Sequence, residues 1–256
     1  MPIIQNATVL LGAVLLWSCD KTAVQDITGP VAASQIRFFH FGVNAPQVNF
    51  YANDAKLTAI SSTNGTESTT GIGYGAVGAG GAYSAVEPGQ YDLTGRIAAT
   101  TDKDLVIARV TATVESGKRY SVYLSGLYDA GAKAAQGFLV EDPLPEPIDW
   151  SQAQVRFVHS IGNANAMTLY AKNTATQAEV AVGGPVAYRA AGAFTPLPPG
   201  SYDLGARYSG AAANAIARTG VAFAAGRVYT IGARGDITVT STTAATRPFL
   251  DNTPNR

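Results

Sequence analysis

The sequence holds two histidines, and each lies in a near-identical stretch: QIRFFHF begins at Gln35 and QVRFVHS begins at Gln154. A pair of histidines can serve in acid–base catalysis or ligate a metal ion. Either role needs a partner group, and one such site would serve a whole protein. In an extended strand, His40 and His159 share a face with the apolar residues two and four positions before them. The duplication therefore favours a structural role, with each imidazole hydrogen-bonded to nearby backbone.

Arg37 and Arg156 occupy the other face of the same two strands. On that face an arginine is either solvent-exposed or paired with a carboxylate from a neighbouring strand. Asp92 and Asp203, which follow repeated tyrosines, are the candidate partners. A contact between these arginines and a ligand is the alternative role.

Other motifs that could do chemistry lack the context that they need. Residues 73–78 match G-x-G-x-x-G, but the following Ala-Gly-Gly-Ala does not start the helix that a dinucleotide site requires. Asp102 and Asp104 supply two carboxylates, whereas calcium takes about six to eight oxygens. No serine lies in a G-x-S-x-G elbow. The sequence therefore predicts no catalytic residues, no metal and no cofactor.

Tyrosines near glycine-rich loops or on predicted outer faces are the best hint of a binding surface. Aromatic rings there can stack on sugars or anchor a protein partner. Ordinary strand composition is the alternative explanation. The candidates are Tyr74, Tyr83, Tyr123, Tyr128, Tyr188 and Tyr208.

Composition excludes several classes of function. Among 256 residues, 18 are basic and 18 acidic, and the basic residues form no stripe, which argues against nucleic-acid binding. A single cysteine excludes an internal disulfide framework. Short Val/Tyr/Phe/Thr runs separated by Gly and Pro predict many short strands.

The chain repeats itself through three landmarks that occur in the same order. The histidine stretches are offset by 119 positions (35 to 154), the Pro-Gly-x-Tyr-Asp-Leu turns by 111 (91 to 202) and the Gly-x-x-Tyr strands by 109 (120 to 229). The turn tyrosines can return their hydroxyl groups to nearby backbone, as in a tyrosine corner. The repeat positions that we expect to be structural are His40, His159, Arg37, Arg156, Tyr91, Tyr202, Tyr120 and Tyr229.

These landmarks define the predicted domains. We expect two tandem immunoglobulin-like antiparallel β-sandwiches, at residues 35–140 and 153–247, with a proline-rich linker at 141–152 and a tail at 248–256. In YSVYLSGL, Tyr120, Val122 and Leu124 alternate with more polar residues. Such alternation predicts one buried and one wetted face.

The R-F-x-H opening, the P-G-x-Y-x-L turn and the G-x-x-Y-[ST]-[VI] strand resemble the bacterial domain of unknown function DUF4397. The resemblance covers residues 35–140 and 153–247. It implies an all-β, extracytoplasmic protein with two copies of the domain, of the kind found in secreted and lipid-anchored envelope proteins. It brings no activity and no catalytic residues.

The N-terminus resembles a lipoprotein signal. An apolar run from Val9 to Trp17, too short to span a bilayer, precedes Ser18 and Cys19. Leu16 to Cys19 are similar to a lipobox, although Trp17 is bulky and no Lys or Arg precedes the run. The resemblance implies cleavage of residues 1–18, lipidation of Cys19 and a tether at 19–34. A buried strand and ordinary secretion are the alternatives.

Together these features predict a non-catalytic protein of the cell envelope, anchored to a membrane by its lipidated N-terminus and facing the periplasm or the exterior. Its expected partner is a surface polysaccharide, a cell-wall component or an envelope protein. A structural role, as a spacer or subunit of a surface complex, is the main alternative, and a hydrolase is a remote one.

Overall fold

The computed structural model describes residues 34–58 and 70–255, and these form β-strands joined by turns, with one short 3-10 turn at Gly78–Gly81. Cys19, the signal sequence and the predicted tether lie outside the described residues. No helix in the described part of the chain is long and apolar enough to cross a bilayer.

Repeat 1 is a sandwich of two four-stranded sheets, with strand orders β4-β1-β7-β8 and β3-β2-β5-β6. Its strands are β1 (Ser34–His40), β2 (Val48–Ala52), β3 (Ala55–Lys56), β4 (Ser84–Val86), β5 (Gly89–Ile97), β6 (Val106–Val114), β7 (Arg119–Asp129) and β8 (Ala134–Glu141).

Repeat 2 has the same plan, with sheet orders β12-β9-β16-β17 and β11-β10-β14-β15, and β13 also pairs with β9. Its strands are β9 (Ala153–His159), β10 (Met167–Asn173), β11 (Glu179–Val186), β12 (Ala190–Ala191), β13 (Thr195–Leu197), β14 (Gly200–Tyr208), β15 (Ile216–Phe223), β16 (Val228–Arg234) and β17 (Phe249–Pro254). The predicted all-β fold of two sandwiches is confirmed.

Each repeat also contains one parallel pair, which the prediction of antiparallel sheets missed. β1 runs parallel to β7, with Ile36 opposite Tyr120, and β9 runs parallel to β16, with Val155 opposite Tyr229. β1 thereby lies between β4 and β7, and β9 lies between β12 and β16. Alternation along each strand carries no information about the direction of its neighbour.

Each sandwich has its own apolar core, built by the inward residues of both sheets. In repeat 1 the core includes Phe38 and Phe50, whose rings stack at 4.9 Å. In repeat 2 it includes Phe157, Leu169 and Ile231, all fully buried. The inward residues of β1 and β9 thus pack in the cores of their own sandwiches, as the alternation predicted.

A third apolar cluster joins the two repeats. It is made by the outward face of the β4-β1-β7-β8 sheet together with Val158 of β9, and three of its rings, those of Phe39, Tyr123 and Phe138, stack at 4.5 and 4.8 Å. Ser121, Tyr123 and Ser125 on β7, expected to be wetted, are fully buried. That expectation is wrong because repeat 2 covers the second face of β7.

Candidate functional site

Arg37 and Arg156 leave the outward faces of β1 and β9 and enter the contact between the repeats. Each is only 1% exposed. Burial of an arginine is costly unless its donors are paired. Of the two roles expected on that face, exposure to solvent is therefore excluded, and the arginines pair with a carboxylate, although not with either of the aspartates named above.

The two guanidinium groups bond reciprocally to the strand ends of the opposite repeat. Arg37 donates to the carbonyl oxygen of Pro254 and to Asn255 Oδ1, each at 3.0 Å. Arg156 donates to the carbonyl oxygen of Glu141 at 2.7 Å and to Asp142 Oδ1. Each arginine thereby ties its own first strand to the last strand of the other repeat.

The bonds within each repeat follow the same symmetry. Arg37 Nη2 donates to Ser121 Oγ at 3.3 Å, and Arg156 Nε donates to Thr230 Oγ1 at 3.0 Å. The backbone N–H groups of Asp142 and Asn255 each donate to the strand beside them at 2.7 Å. The contact is therefore isologous, as in a two-fold symmetric dimer, although both halves belong to one chain.

The symmetry breaks at the carboxylate. Repeat 1 ends in Asp142, whose Oδ2 accepts hydrogen bonds from Ser121 Oγ at 2.6 Å and Tyr83 Oη at 2.7 Å, whereas repeat 2 ends in Asn255. Arg37 Nη2 lies 3.8 Å from the same carboxylate. Burial, and then the charge of Asp142, raise the pKa of Tyr83. Two buried guanidinium groups thus share one carboxylate.

The two aspartates expected to pair with these arginines lie elsewhere. Asp92 forms an ion pair with Arg109 on β6, and Asp203 accepts the backbone N–H of Gly220 at 3.0 Å. Sequence reasoning missed Asp142 because it lies in the predicted linker and has no acidic counterpart in repeat 2.

The histidines occupy equivalent, fully buried positions at the ends of β1 and β9. Nε2 of His40 lies 2.9 Å from the carbonyl oxygen of Pro46, and Nε2 of His159 lies 3.0 Å from that of Asn165. Burial lowers the pKa of both imidazoles. The described residues place neither ring in hydrogen-bond contact with a serine or a carboxylate.

The repeated tyrosines make equivalent hydrogen bonds in the two repeats. Tyr91 and Tyr202 donate to the carbonyl oxygens four residues earlier, at 2.8 and 2.7 Å. The hydroxyl groups of Tyr120 and Tyr229 accept backbone N–H groups five residues earlier, at 3.2 and 3.1 Å. Each hydroxyl thus stabilises a turn at the edge of its sandwich.

The six tyrosines proposed as a binding surface are not exposed. Tyr123 is fully buried between the repeats, Tyr83 bonds to Asp142, and Tyr188 lies 3.0 Å from Ser125 Oγ across the contact. Tyr74, Tyr128 and Tyr208 are half-buried. The prediction that these tyrosines are exposed is wrong because the contact between the repeats buries several of their rings.

The acidic pair in the predicted hairpin turn does not converge. Asp102 pairs with Lys133 at 2.7 Å, and Asp104 lies 3.4 Å from the hydroxyl of Tyr51. Residues 34–58 and 70–255 contain no group of three or more His, Cys, Asp or Glu side chains arranged to hold a metal ion.

The described residues of repeat 2 form an open groove of about 670 Å³. We call it the β15 groove. One wall is the start of β15, and the other is the loop between β16 and β17. Its lining is rich in hydroxyl groups, with two arginines and an aromatic ring, and includes Arg218, Thr219, Thr240, Ser241, Thr242, Arg247 and Phe249.

The two arginines of the β15 groove are oriented by backbone carbonyls. Arg218 Nη1 donates to Leu250 at 2.6 Å, and Arg247 Nη1 donates to Ala244 at 3.0 Å. Their guanidinium carbons lie 5.1 and 5.2 Å from the centroid of the Phe249 ring. No carboxylate of the described residues forms an ion pair with either one. Two oriented cations therefore face a concavity with hydroxyl groups.

The loop that forms one wall of the groove is much shorter in the described part of repeat 1. Its β7 and β8 are joined by residues 130–133, whereas β16 and β17 are joined by residues 235–248. Arg218 on β15 lies opposite Leu204, whereas the residue opposite the equivalent Leu93 in repeat 1 is Val110 on β6. β6 therefore carries a valine at the strand position of Arg218. The sequence reasoning missed the groove residues. The signal that pointed to them is the longer segment after the Gly-x-x-Tyr strand of the second repeat.

The fold and its sites thus define a tandem β-sandwich protein whose two repeats share one buried contact. The profile of the family described as "Domain of unknown function (DUF4397)" matches residues 34–170 and 153–256. The chain belongs to this family, which confirms the membership predicted from the repeated motifs.

No match was found among curated proteins. Among solved structures, the chain is similar to one titled "The Bacillus anthracis TIE protein", with 14% identity, a TM-score of 0.22 and coverage of 78% of this chain and 33% of that one. The chain spans about a third of the length of that structure's chain.

Proposed function

We propose that this chain is a non-catalytic protein of the cell envelope that binds a surface polysaccharide through the β15 groove. The observation that carries the proposal is the groove itself, an open concavity of about 670 Å³ lined by hydroxyl groups, two arginines and Phe249. Sugars are recognised by hydroxyl, guanidinium and aromatic groups of this kind. The N-terminal lipobox-like residues support the proposed location.

A passive role is the second candidate function. The ion pair of Arg156 with Asp142 and the apolar cluster that the repeats share support a fixed arrangement of the two repeats, which suits a spacer or a subunit of a surface complex. In that case the groove would be unused, and the protein would retain no polysaccharide.

Binding is tested with the full-length protein, purified in detergent, on a panel of immobilised neutral and acidic polysaccharides. We expect saturable binding to at least one polymer, and loss of that binding in Phe249→Ala. Arg109→Ala is the control, because Arg109 is an arginine of β6 in repeat 1 and does not line the β15 groove. Retention of no polymer would overturn polysaccharide binding and favour the spacer.

Location is tested separately by expressing the chain in a bacterium and measuring the mass of its N-terminal peptide. Cleavage before Cys19 with added acyl chains, absent in Cys19→Ala, is the expected result. An unmodified N-terminus in the soluble fraction would contradict the lipid anchor without affecting the test of binding.

A further inference from the structure

The β15 groove carries an excess of positive charge that a neutral sugar would leave unmatched. Three arginines, Arg218, Arg234 and Arg247, lie 5.1 to 5.2 Å from the Phe249 centroid. Asp251 pairs with Arg234. Neither of the other two guanidinium groups forms an ion pair with a carboxylate among residues 34–58 and 70–255, although the charge of Arg218 acts on the carboxyl group of Asp251.

The donors of these two arginines are only partly used. A guanidinium group has five N–H donors, and in each arginine one backbone carbonyl accepts a hydrogen bond from Nη1. The remaining donors form the fork that matches a carboxylate, and the carbonyl contacts fix the orientation of that fork. Preorganised donors lose little side-chain entropy when an anion binds.

The comparison with repeat 1 shows what differs around Arg218. On β6 the strand position of Arg218 is held by Val110, and the neighbouring Arg109 pairs with Asp92. In repeat 2 the equivalent aspartate, Asp203, instead accepts the N–H of Gly220, where β15 is distorted by a φ of +67°. Repeat 2 therefore places an arginine without an ion pair at the strand position where the longer loop forms a concavity.

We propose that the β15 groove selects a polysaccharide that bears carboxylate groups, and that Arg218 and Arg247 bind those carboxylates. Thr219, Thr240, Ser241 and Thr242 provide hydroxyl groups for the neighbouring sugar hydroxyls. This inference rests on the proposed function and adds the charge of the ligand.

The test compares two probes with the same sugar backbone, oligogalacturonate and its uncharged, fully methyl-esterified form, by titration of the full-length protein in detergent. We expect binding of the acid to be at least ten-fold tighter than binding of the ester, and to weaken as salt is raised. Arg218→Gln and Arg247→Gln are each expected to weaken binding of the acid about ten-fold, which corresponds to about 1.4 kcal/mol. Arg109→Gln should leave it unchanged.

A second variant keeps the test independent of folding. Thr240 is exposed on the lip of the groove, so Thr240→Glu adds a negative charge without removing a buried contact. Thr240→Glu should weaken binding of the acid, and the uncharged Thr240→Gln should not. Unchanged melting temperatures of both variants would establish that the fold is retained.

The outcomes separate the two proposals. Equal binding of acid and ester, lost in Phe249→Ala, would overturn the selection for carboxylates and leave polysaccharide binding standing. Binding of the acid that is indifferent to Arg218→Gln, Arg247→Gln and Thr240→Glu would overturn the assignment of the site. Absence of binding to either probe, when another polymer of the panel is bound, would overturn the inference alone.

Discussion

Arg37 and Arg156, equivalent residues of two repeats, each bond to the last strand of the other repeat, and Asp142 lies against both guanidinium groups. The contact is thereby reciprocal, as in a symmetric dimer, where each subunit presents the same residues to the other. The aromatic stack of Phe39, Tyr123 and Phe138 lies in the same contact. The two repeats therefore act as one folded unit.

Asp142→Asn should destabilise the protein by about 3–5 kcal/mol, because it leaves two buried guanidinium groups without a carboxylate. The amide has nearly the same shape and can still accept a hydrogen bond, so the lost stability measures mainly the effect of the negative charge of Asp142. The measurement is the free energy of unfolding from urea denaturation. Asp54→Asn is the control, since the side chain of Asp54 is 99% exposed in its ion pair with Arg96. An Asp142→Asn loss no larger than the control's would contradict the role of Asp142.

Asn255→Asp should stabilise the protein by about 1 kcal/mol, because a charged acceptor strengthens the existing hydrogen bond from Arg37. Asn255 now donates to Thr230 Oγ1 at 3.0 Å. In the aspartate variant the Thr230 hydroxyl can reverse and donate, as Ser121 does to Asp142. The double variant Asp142→Asn/Asn255→Asp should recover part of the stability lost in Asp142→Asn. A double variant no more stable than Asp142→Asn alone would show that the two positions are not equivalent.

Close approach of the repeats is tested at Gly126. A Cβ there would lie 2.8 Å from the hydroxyl of Tyr188, and the residue has a φ of +72°. Gly117 has a similar φ of +79° but open space around its Cβ position. Both alanine variants incur about 1–2 kcal/mol of backbone strain. Gly126→Ala should lose about 1–3 kcal/mol more, from overpacking. Equal losses in urea denaturation would mean that Tyr188 moves aside freely.

The sequence was sufficient to predict the two sandwiches, since each strand carries its own alternation and each repeat carries the same three landmarks. It was insufficient for the contact between the repeats. Tyr123 and Ser125 alternate with apolar residues and therefore look wetted, but a sheet from the other repeat covers them. The alternation of a strand predicts which face packs in the core of its own sandwich, but it does not predict that another repeat covers the opposite face.

The candidate sites show the same division. Arg37 and Arg156 stood out because they recur, whereas Asp142 does not recur and the long loop that lines the groove belongs to repeat 2 alone. Arg218 and Phe249 are more than thirty positions apart in the sequence. Their contact depends on the position of the loop between β16 and β17 beside β15, which no local pattern specifies.

The buried histidines make stability depend on pH, with a sign that follows from their pKa shifts. Burial lowers the pKa of His40 and His159. At pH values below the ordinary histidine pKa of about 6.5, the unfolded chain therefore binds more protons than the folded protein. Their contribution is complete above that value and is lost as pH falls through the folded pKa, with a slope of at most about 1.4 kcal/mol per pH unit for each histidine.

The variant His40→Gln/His159→Gln should flatten this dependence, measured as the free energy of unfolding in urea from pH 7.5 to 4.5. The comparison with the unmodified protein is needed because Asp251 changes the free energy of unfolding with pH in the opposite direction. Burial, only partly offset by Arg234, raises the pKa of Asp251, so its contribution to stability is lost as pH rises.

Since Ile161 N–H donates to Nδ1 of His159 at 3.2 Å, Nε2 carries the proton and donates to Asn165. Protonation of Nδ1 breaks the Ile161 contact. Parallel curves for the two proteins would contradict the assignment of the acid-sensitive step to these histidines.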